Sequence, residues 1–325
     1  RHTDRSVLAG AIGYARKTHV VEDDIALVAF PFTHVGGIII GVFTPLLTGS
    51  AAVLMEAWTP QASTELIAEH AVTLGNGAPA IHTALLAEAR AKPEAYKTIR
   101  AFPSGGSAKP PQLHDDLIGA VPSSVGITSG YGMTEAPIVS QTDTDAPDAS
   151  KRVGEGTATP GVEFRILDNG ELTVKGPQVM RGYVDSSLDA EAFTDDGWLH
   201  TGDMARFEDD GTVVITGRIK DIIVRKGENI SAKEVEDVCY AHPKIADVAV
   251  LGIPDDERGE MAVAFVVPQD PADPPTLADV IAHCKSVGLM TQKIPERLEV
   301  IDAMPRNPSG KVPKHELRAR LVTQA

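Results

Sequence analysis

Two polar clusters between residues 197 and 236 carry side chains that could bind a nucleotide. Asp203 follows a glycine in the run Thr-Gly-Asp, and a glycine lets the backbone turn sharply, so we expect the carboxylate to aim outward. A carboxylate accepts hydrogen bonds from two neighbouring hydroxyls, such as those of a ribose. Arg218, a cation with five donors, follows a predicted strand-turn-strand that returns the chain toward the same ligand. Each residue taken singly is also typical of a solvated surface hairpin.

A second cluster reads Ser-Gly-Tyr-Gly-Met-Thr-Glu over residues 129–135, directly after a predicted strand at 124–128. Its glycines let the backbone approach a ligand closely. Tyr131 offers a ring for stacking, Thr134 a hydroxyl, and Glu135 the hard oxygen that Mg²⁺ prefers. Taken alone, however, a Thr-Glu pair means little.

Two further candidates follow predicted strands. A strand at 99–102 runs into Pro-Ser-Gly-Gly-Ser-Ala, where Gly105 and Gly106 would let a flat ring lie against the backbone. His34 follows a strand at 25–30, and ligands of doubly wound sheets gather at such strand ends. An ordinary loop has the same composition in both places.

Length and composition restrict the class of protein. A chain of 325 residues suits one large domain plus a smaller one. A net charge of −15 argues against a surface that tracks nucleic-acid phosphates. The sequence lacks a long apolar membrane segment and a signal-peptide pattern. The two cysteines follow no ligand spacing, which favours buried thiols in a reducing compartment, so we expect a cytoplasmic protein.

The predicted elements must position these candidates. Strands and helices alternate through the first half of the chain, which predicts a largely parallel sheet with right-handed crossovers. Residues 141–152 are rich in Asp and Pro and predict a surface loop, and 154–175 predict short antiparallel strands with a hairpin turn at 168–170. Beyond residue 220 we expect a small α+β unit that begins with a capping box at Ser231–Glu234.

The motifs in their order resemble those of adenylate-forming enzymes. The runs YGMTE, TGD, GRIKD, GENI and EVE are similar to the signature of this superfamily, which includes acyl- and aryl-CoA synthetases, peptide-synthetase adenylation domains and firefly luciferase. The resemblance implies an α/β large domain at 1–219 with mostly parallel sheets and a small antiparallel β subdomain. It also implies a small, mobile α+β C-terminal domain at 220–325 that pivots at Lys220. The N-terminal part of the large domain, with its phosphate loop, is expected to be missing from this chain.

The resemblance also implies roles for single residues. Asp203 would hold the AMP ribose with help from Arg218, Thr134 would contact the α-phosphate, and Glu135 would bind Mg²⁺. Lys311, in the run Pro-Arg-Asn-Pro-Ser-Gly-Lys, would neutralise charge as pyrophosphate leaves. The remaining nucleotide contacts implied are Gly105, Gly106, Ser107, Tyr131 and Gly132.

Two further sites are implied for the other substrates. The turn at Lys226 and Gly227 would swing to the active site and line the path of coenzyme A, with Gly227 permitting close approach of the thiol arm. His34 would line and gate an acyl pocket. The other expected lining residues are Phe32, Val35, Gly130, Met133 and Pro137.

The sequence therefore predicts an AMP-forming acid–CoA ligase, with ATP, Mg²⁺ and coenzyme A as cosubstrates and cofactor. An apolar pocket favours a fatty, aryl or alicyclic acid, as in fatty acid metabolism, over an amino acid. A homodimer is compatible with this prediction. Two alternatives stay open, namely an adenylating enzyme that delivers to a carrier protein, and a non-catalytic nucleotide- or acyl-binding remnant.

Overall fold

The computed structural model of the chain describes residues 1–107, 109–307 and 311–322. The chain forms two compact units. The first consists of Arg1–Thr201 with Ala205–Ile215, and the second of Gly202–Met204 with the chain from Thr216 onward. Two long strands therefore contribute residues to both units.

The first unit alternates helices with strands along most of its length. Its helices are α1 Asp4–Lys17, α2 Val35–Ile38, α3 Thr44–Thr48, α4 Pro60–Glu69, α5 Pro79–Ala91, α6 Pro111–Ala120, α7 Asp148–Val153 and α8 Asp189–Ala192, with a π-helical turn Ile39–Phe43 joining α2 to α3. Its strands are β1 Ile25–Val28, β2 Ala51–Leu54, β3 Leu74–Asn76, β4 Phe102–Gly105, β5 Ile127–Met133, β6 Ala136–Gln141, β7 Thr157–Ala158, β8 Glu163–Ile166 and β9 Glu171–Lys175. The strands that enter both units are β10 Leu199–Phe207 and β11 Val213–Arg218.

The parallel arrangement expected from the alternation is confirmed. Strands β2 and β3 both pair parallel to β1, single bridges join β3 to β4, and β4 pairs parallel to β5. Helices α4, α5 and α6 pack on this layer, and their shared core includes Leu27, Leu85, Phe102, Leu117 and Ile127, each fully buried. Burial of these side chains is the main stabilisation of the layer.

The glycine-rich motifs lie inside strands, contrary to the sequence prediction. Strand β4 covers Phe102–Gly105 instead of 99–102, and β5 covers Ile127–Met133 instead of 124–128. Phe102 pairs with Ile127 and Gly105 with Gly130. The pairing satisfies the backbone hydrogen bonds of both segments, and this tertiary gain exceeds the turn preference of glycine.

The loop predicted at 141–152 contains helix α7, so that prediction is wrong. Asp148 stands in the first turn, and Lys151 and Arg152 in the last, which complements the helix dipole. The Lys109 ammonium donates to the Gly154 carbonyl just past the helix (2.7 Å). Arg152 also pairs with Asp115 of α6 (2.7 Å). These long-range contacts fix a segment that composition alone identifies as a loop.

The antiparallel sheet of the first unit has the order β11-β10-β9-β8. The predicted hairpin turn at 168–170 is confirmed, since Gly170 has a φ of 84° and the Asn169 side chain accepts from the amide of Glu171 (3.0 Å). The turn between β10 and β11 is confirmed as well, with Gly211 at a φ of 80° and the Glu208 amide bonded to the Thr212 carbonyl.

The second unit is the expected small α+β structure. Its elements are β12 Ile222–Arg225, β13 Glu228–Ser231, α9 Ala232–Tyr240, β14 Ile245–Asp255, β15 Gly259–Pro268, α10 Leu277–Ser286, β16 Arg297–Val300 and α11 Lys314–Val322. The strand order is β13-β12-β15-β14, with β16 also paired to β15. Alternate residues of β14 and β15 face opposite ways, so Val250 and Ala264 pack with α9 and α10, whereas Leu251 and Phe265 pack with α11.

Three smaller expectations concern caps, thiols and membranes. Ser231 caps α9 by accepting from the amide of Glu234, but the Glu234 carboxylate accepts from Lys293 (2.7 Å) in place of completing the predicted capping box. Cys239 and Cys284 are free and buried in the same core, as expected. Within the described ranges, no helix combines the length and apolar character needed to cross a bilayer.

His82 of α5 makes the stability of the first unit depend on pH. It is fully buried, its Nε2 lies 2.9 Å from the Gly75 carbonyl, and its ring meets Phe102 edge-on. Burial lowers the pKa of His82 from 6.5 to about 4, despite the hydrogen bond to Gly75. As pH falls below 6.5, the His82 imidazole becomes protonated in the unfolded chain, but in the folded chain it stays neutral down to about pH 4. This histidine should therefore remove roughly 3 kcal/mol of stability across that window.

The measurement is urea unfolding of the 325-residue chain between pH 7 and 4, followed by tryptophan fluorescence, since Trp58 and Trp198 both lie in the first unit. His82→Gln keeps a donor and removes the titration. Its loss of unfolding free energy between pH 7 and 4 should therefore be about 3 kcal/mol smaller than that of the wild type. His70→Gln, at an exposed position at the end of α4, is the matched control and should keep the wild-type slope. Equal slopes for both variants would contradict the assignment.

Candidate active site

The β5–β6 hairpin carries the two residues expected to bind phosphate and metal. Met133 pairs with Ala136, so Thr134 and Glu135 form the tight turn between the strands. Thr134 is exposed and Glu135 is half-buried. A short turn between two paired strands fixes the backbone of both residues, which is a suitable basis for a precise binding site.

The same hairpin stores backbone strain beside the turn. The register shifts between Tyr131 and Met133, and opposite this irregularity Ile138 has a φ of 50°, which a β-branched residue rarely adopts. A side chain on Gly132 would place its Cβ 2.4 Å from the Ile138 amide nitrogen, so the two strands require glycine there. Strain of this kind costs about 1–3 kcal/mol and clusters at functional sites.

Two glycine motifs, predicted separately, lie side by side on β4 and β5. Gly105 pairs with Gly130, and a Cβ on Gly105 would lie 3.0 Å from the Gly130 carbonyl oxygen. A Cβ on Gly130 would lie 2.2 Å from the amide oxygen of Gln141. Gly106 then turns at a φ of 88° and, with Ser107, is exposed just past the strand. The structure thus brings the predicted adenine contacts to the strand that carries Tyr131.

Three contacts from distant residues hold the turn, and sequence reasoning found none of them. The Met180 amide donates to the Glu135 carbonyl (2.7 Å), and the Tyr183 hydroxyl donates to Oε1 of the Glu135 carboxylate (2.9 Å). His2 Nε2 lies 2.7 Å from the Thr134 carbonyl. These partners lie far from the turn along the chain, so no local spacing signals them.

The electrostatics of the turn suit a metal shared with substrate. Burial, together with the neighbouring Glu135 carboxylate, raises the pKa of the Tyr183 hydroxyl, which keeps it a donor. Within the described ranges, His19, Asp143 and Asp145 form a close group of side chains that could hold a metal ion. Glu135 is not part of this group. A single carboxylate fits Mg²⁺, which binds through one or two carboxylates plus phosphates and water, better than a metal caged by protein.

The second unit contains the expected pair of Asp203 and Arg218. Gly202 lies inside β10 with a φ of 71°, a backbone conformation that glycine permits. The Asp203 carboxylate is buried, however, and does not aim outward as expected, because Arg218 Nε donates to its Oδ1 (3.0 Å). A charge partner at this distance offsets the cost of burying the carboxylate. Arg218 itself keeps 43% of its side chain exposed.

The segment predicted as the hinge lies in a short 3₁₀ turn, Ile219–Asp221, where Lys220 is exposed. Just before it, the Ser231 hydroxyl donates to the Thr216 carbonyl (2.7 Å), and a Cβ on Gly217 would lie 2.6 Å from that hydroxyl oxygen. The glycine of the Gly-Arg pair is therefore required by packing. The pivot itself stays a prediction.

Lys226 and Gly227 form the two-residue turn between β12 and β13. Both have a positive φ, 51° and 82°, as expected of the tightest hairpin turns. The Lys226 amide donates to the Arg258 carbonyl (2.7 Å). Glu296 accepts from Arg225 (2.5 Å), the residue before the turn, and forms an ion pair with Arg258 (3.1 Å), the residue before β15, which ties β12 to the start of β15. This charged clamp was not foreseen from the sequence.

The lysine loop near the C-terminus is closed by two reciprocal hydrogen bonds. The Asn307 amide donates to the Lys311 carbonyl, and the Lys311 amide donates to the Asn307 side chain, both at 2.9 Å. Residues 308–310, which belong to the same motif, lie outside the described part of the chain. Lys314 follows and donates to the Val250 carbonyl and to Glu236 (both 2.8 Å), which fixes the start of α11.

His34 has a local structural role in addition to the predicted one. Helix α2 begins at Val35, and His34 is its N-cap. The Gly36 amide donates to His34 Nδ1 (3.1 Å), so the neutral ring carries its proton on Nε2. The ring also stacks on Phe30 at 6.0 Å.

The other predicted lining residues occupy different surroundings. Phe32 is 41% exposed and lies beside Gly41, whereas Met133 packs in the cluster of the β subdomain. Val35 packs with the cluster beneath α1, and Pro137 is buried with its carbonyl near Gly10. Phe32, Met133 and Val35 thus lie in different surroundings, and the acyl pocket stays a prediction.

Comparison with known proteins places the chain in a family. A family model described as AMP-binding enzyme matches residues 1–184, and one described as AMP-binding enzyme C-terminal domain matches residues 234–311. The chain is 33% identical over 331 aligned residues to a medium-chain fatty-acid–CoA ligase of Escherichia coli (strain K12), covering 98% of this chain and 58% of that protein. It is 35% identical to 3-[(3aS,4S,7aS)-7a-methyl-1,5-dioxo-octahydro-1H-inden-4-yl]propanoyl:CoA ligase of Rhodococcus jostii (strain RHA1), covering 92% and 58%.

Solved structures give the same result. ATP-bound MatB from Rhodopseudomonas palustris superposes with a TM-score of 0.90 at 26% identity, covering 98% of this chain and 64% of that one. The amide bond synthetase McbA from Marinactinospora thermotolerans superposes with a TM-score of 0.87 at 27% identity, covering 98% and 66%. The chain spans less than two thirds of each of these relatives. The match to the family model over more than half of the sequence shows that this chain belongs to the AMP-binding enzymes, the adenylate-forming family that its motifs resemble.

Proposed function

We propose that the protein is an ATP-dependent acid–CoA ligase that activates an apolar carboxylic acid as an acyl-adenylate. The observation that carries the proposal is the strained β5–β6 hairpin, which presents Thr134 and Glu135 on one fixed turn beside the paired glycines Gly105 and Gly130. Relatives that act on a medium-chain fatty acid and on a ring-containing propanoate support an apolar acid as substrate.

The first step forms the acyl-adenylate. A carboxylate is a poor acyl donor because its leaving group would be oxide. Its oxygen therefore attacks the α-phosphorus of ATP, the bond from that phosphorus to the bridging oxygen breaks, and pyrophosphate leaves. Thr134 donates to the α-phosphate, and the Lys311 ammonium neutralises the charge that develops. Glu135 would hold Mg²⁺, which supplies further positive charge beside the phosphates.

The nucleoside is held by residues of both motifs. The Asp203 carboxylate accepts from the two ribose hydroxyls, and Arg218 both orients the carboxylate and supplies donors at its exposed end. The Tyr131 ring stacks on the adenine, and the backbone of Gly105–Ser107, with Gly132, forms the remaining contacts. Glycine at these positions permits a flat base to approach the strand ends.

The second step transfers the acyl group to coenzyme A. The small domain, taken as residues 220–325, turns about Lys220 relative to residues 1–219, which withdraws Lys311 and presents the turn at Lys226 and Gly227. The CoA thiolate then attacks the acyl carbonyl, the bond to the phosphate oxygen breaks, and AMP leaves. One surface of the small domain cannot serve both steps at once, so a rotation between them is required.

The proposal also concerns the class of carboxylic acid and the acceptor of the acyl group. His34 and the predicted lining residues are mostly apolar and include no carboxylate to pair with a substrate ammonium, which favours fatty, aryl or alicyclic acids. We place the reaction in the cytoplasm, in fatty acid metabolism, with a homodimer as a compatible state. An AMP-release assay over a panel of acids, each with CoA, a phosphopantetheinyl carrier or an amine, identifies the acid and acceptor. AMP release that needs an acceptor other than CoA would reject the ligase assignment.

Asp203 should report directly on ribose binding. In the full-length protein, the wild type should prefer ATP over 2′,3′-dideoxy-ATP by about a hundredfold in kcat/KM, because two hydrogen bonds to a carboxylate are worth about 3 kcal/mol. Asp203→Ala should lower kcat/KM for ATP to a similar extent and should no longer distinguish the two nucleotides. If the variant keeps the wild-type preference, the ribose is held elsewhere.

Lys311 should act in adenylation alone. We expect Lys311→Ala in the full-length protein to reduce acyl-adenylate formation about a hundredfold or more, on the scale of removing one charged transition-state contact. Thioester formation from synthetic acyl-AMP should stay within about twofold of wild type, since pyrophosphate has already left. Lys285→Ala, at an exposed position of α10, is the control and should leave both half-reactions unchanged. An equal loss in both half-reactions for Lys311→Ala contradicts this division of labour.

A further inference from the structure

Tyr183 touches the proposed metal ligand, although no motif had given it a chemical role. Its hydroxyl donates to Oε1 of Glu135 at 2.9 Å. We propose that Tyr183 is a positioning residue that holds the Glu135 carboxylate in the orientation that binds Mg²⁺ with the ATP phosphates. This inference rests on the proposed function, because it takes Glu135 as the metal ligand.

Tyr183 is itself held in place, so its hydroxyl is a fixed donor. Its amide donates to Oδ1 of Asp189 (2.7 Å), and its ring packs against the apolar cluster of the β subdomain. Gly182, directly before it, has a φ of 136°, and a Cβ there would lie 2.5 Å from the other oxygen of Asp189. The close approach of the Asp189 carboxylate, which fixes the Tyr183 backbone, therefore depends on a glycine at 182.

The same segment also fixes the backbone of Glu135. Met180, three positions before Tyr183, donates its amide to the Glu135 carbonyl at 2.7 Å. Backbone and side chain of the glutamate are thus held by one short stretch of chain. A Glu side chain alone rotates about three bonds, and ordering it costs conformational entropy. The Tyr183 contact meets this cost before any metal arrives.

The geometry leaves the carboxylate able to bind a cation. A carboxylate has about four lone-pair positions, and the Tyr183 hydroxyl uses one of them. Hydrogen bonds from the protein to metal-binding carboxylates orient the ligand, and their removal typically costs about 10- to 100-fold in metal affinity or activity. A single neutral donor places the expected loss at the lower end, about tenfold.

The test measures metal-dependent nucleotide binding, with turnover blocked. The probe is α,β-methylene-ATP, whose bridge cannot be cleaved, and its dissociation constant for the full-length protein is measured by calorimetry with Mn²⁺ and with EDTA. The ratio of the two constants is the gain due to metal. Tyr183→Phe should reduce this gain about tenfold while leaving the constant in EDTA unchanged, a pattern that a purely structural role would not produce.

Two further variants make the result specific. Tyr96→Phe removes a hydroxyl of the same kind, which contacts Thr64 at 2.8 Å in the core, and it should keep the wild-type gain. Glu135→Gln should lose the gain, and adding Tyr183→Phe to it should change nothing further, because the tyrosine acts through the carboxylate.

Four outcomes would overturn the inference. If Tyr183→Phe keeps the gain seen in the wild type and in Tyr96→Phe, Tyr183 does not position Glu135. If Tyr183→Phe still lowers the gain in the Glu135→Gln background, it acts by another route. If Glu135→Gln keeps the full gain, or the wild type binds no nucleotide, the proposed function itself fails, and the inference with it.

Discussion

The pairing of β5 with its two neighbours is the constraint on which the candidate site depends. On one side Gly105 meets Gly130 in parallel register, and on the other Gly132 lies against Ile138, where β6 carries extra residues relative to β5. A Cβ on Gly132 would lie 2.4 Å from the Ile138 nitrogen, which leaves no room for a side chain, and a Cβ on Gly105 would lie 3.0 Å from the Gly130 oxygen, a very tight contact. The close packing fixes the turn at Thr134 and Glu135, and the positive φ of Ile138 shows that the surrounding fold holds the hairpin in a conformation it would not adopt alone.

In the C-terminal unit, a packed sheet supports the candidate turn at Lys226 and Gly227. Its sheet buries both faces, with α9 and α10 on one side and α11 on the other, so the two-residue turn at Lys226 and Gly227 stands on a well-packed base. The Glu296 carboxylate adds charged contacts with Arg225, directly before that turn, and with Arg258, directly before β15. A rigid body with a rigid turn is what a domain needs if it is to present one surface for each half-reaction.

The sequence predicted most elements and the residue types of the site, because those depend on local periodicity and on motifs. It identified the turns at Gly170 and Gly211. It misplaced β4 and β5, since parallel pairing, not local preference, makes strands of glycine-rich runs.

The remaining misses share one cause. Asp203 is buried instead of facing outward, a helix, α7, replaces part of the predicted loop, and the partners His2 and Tyr183 were overlooked. Each of these features depends on contacts between residues far apart in the chain. Neither composition nor spacing encodes such contacts. The motifs therefore predict which residues bind, whereas only the fold shows which residues hold them in place.

The central claim is that the carboxylic acid passes through an acyl-adenylate on this hairpin. The most direct measurement supplies the acid with both carboxylate oxygens labelled with ¹⁸O and follows the label by mass spectrometry during thioester formation. An acyl-adenylate leaves one acid oxygen on the phosphate, so the released AMP should carry one ¹⁸O. Release of AMP without label, or of ADP with labelled inorganic phosphate, would contradict the account.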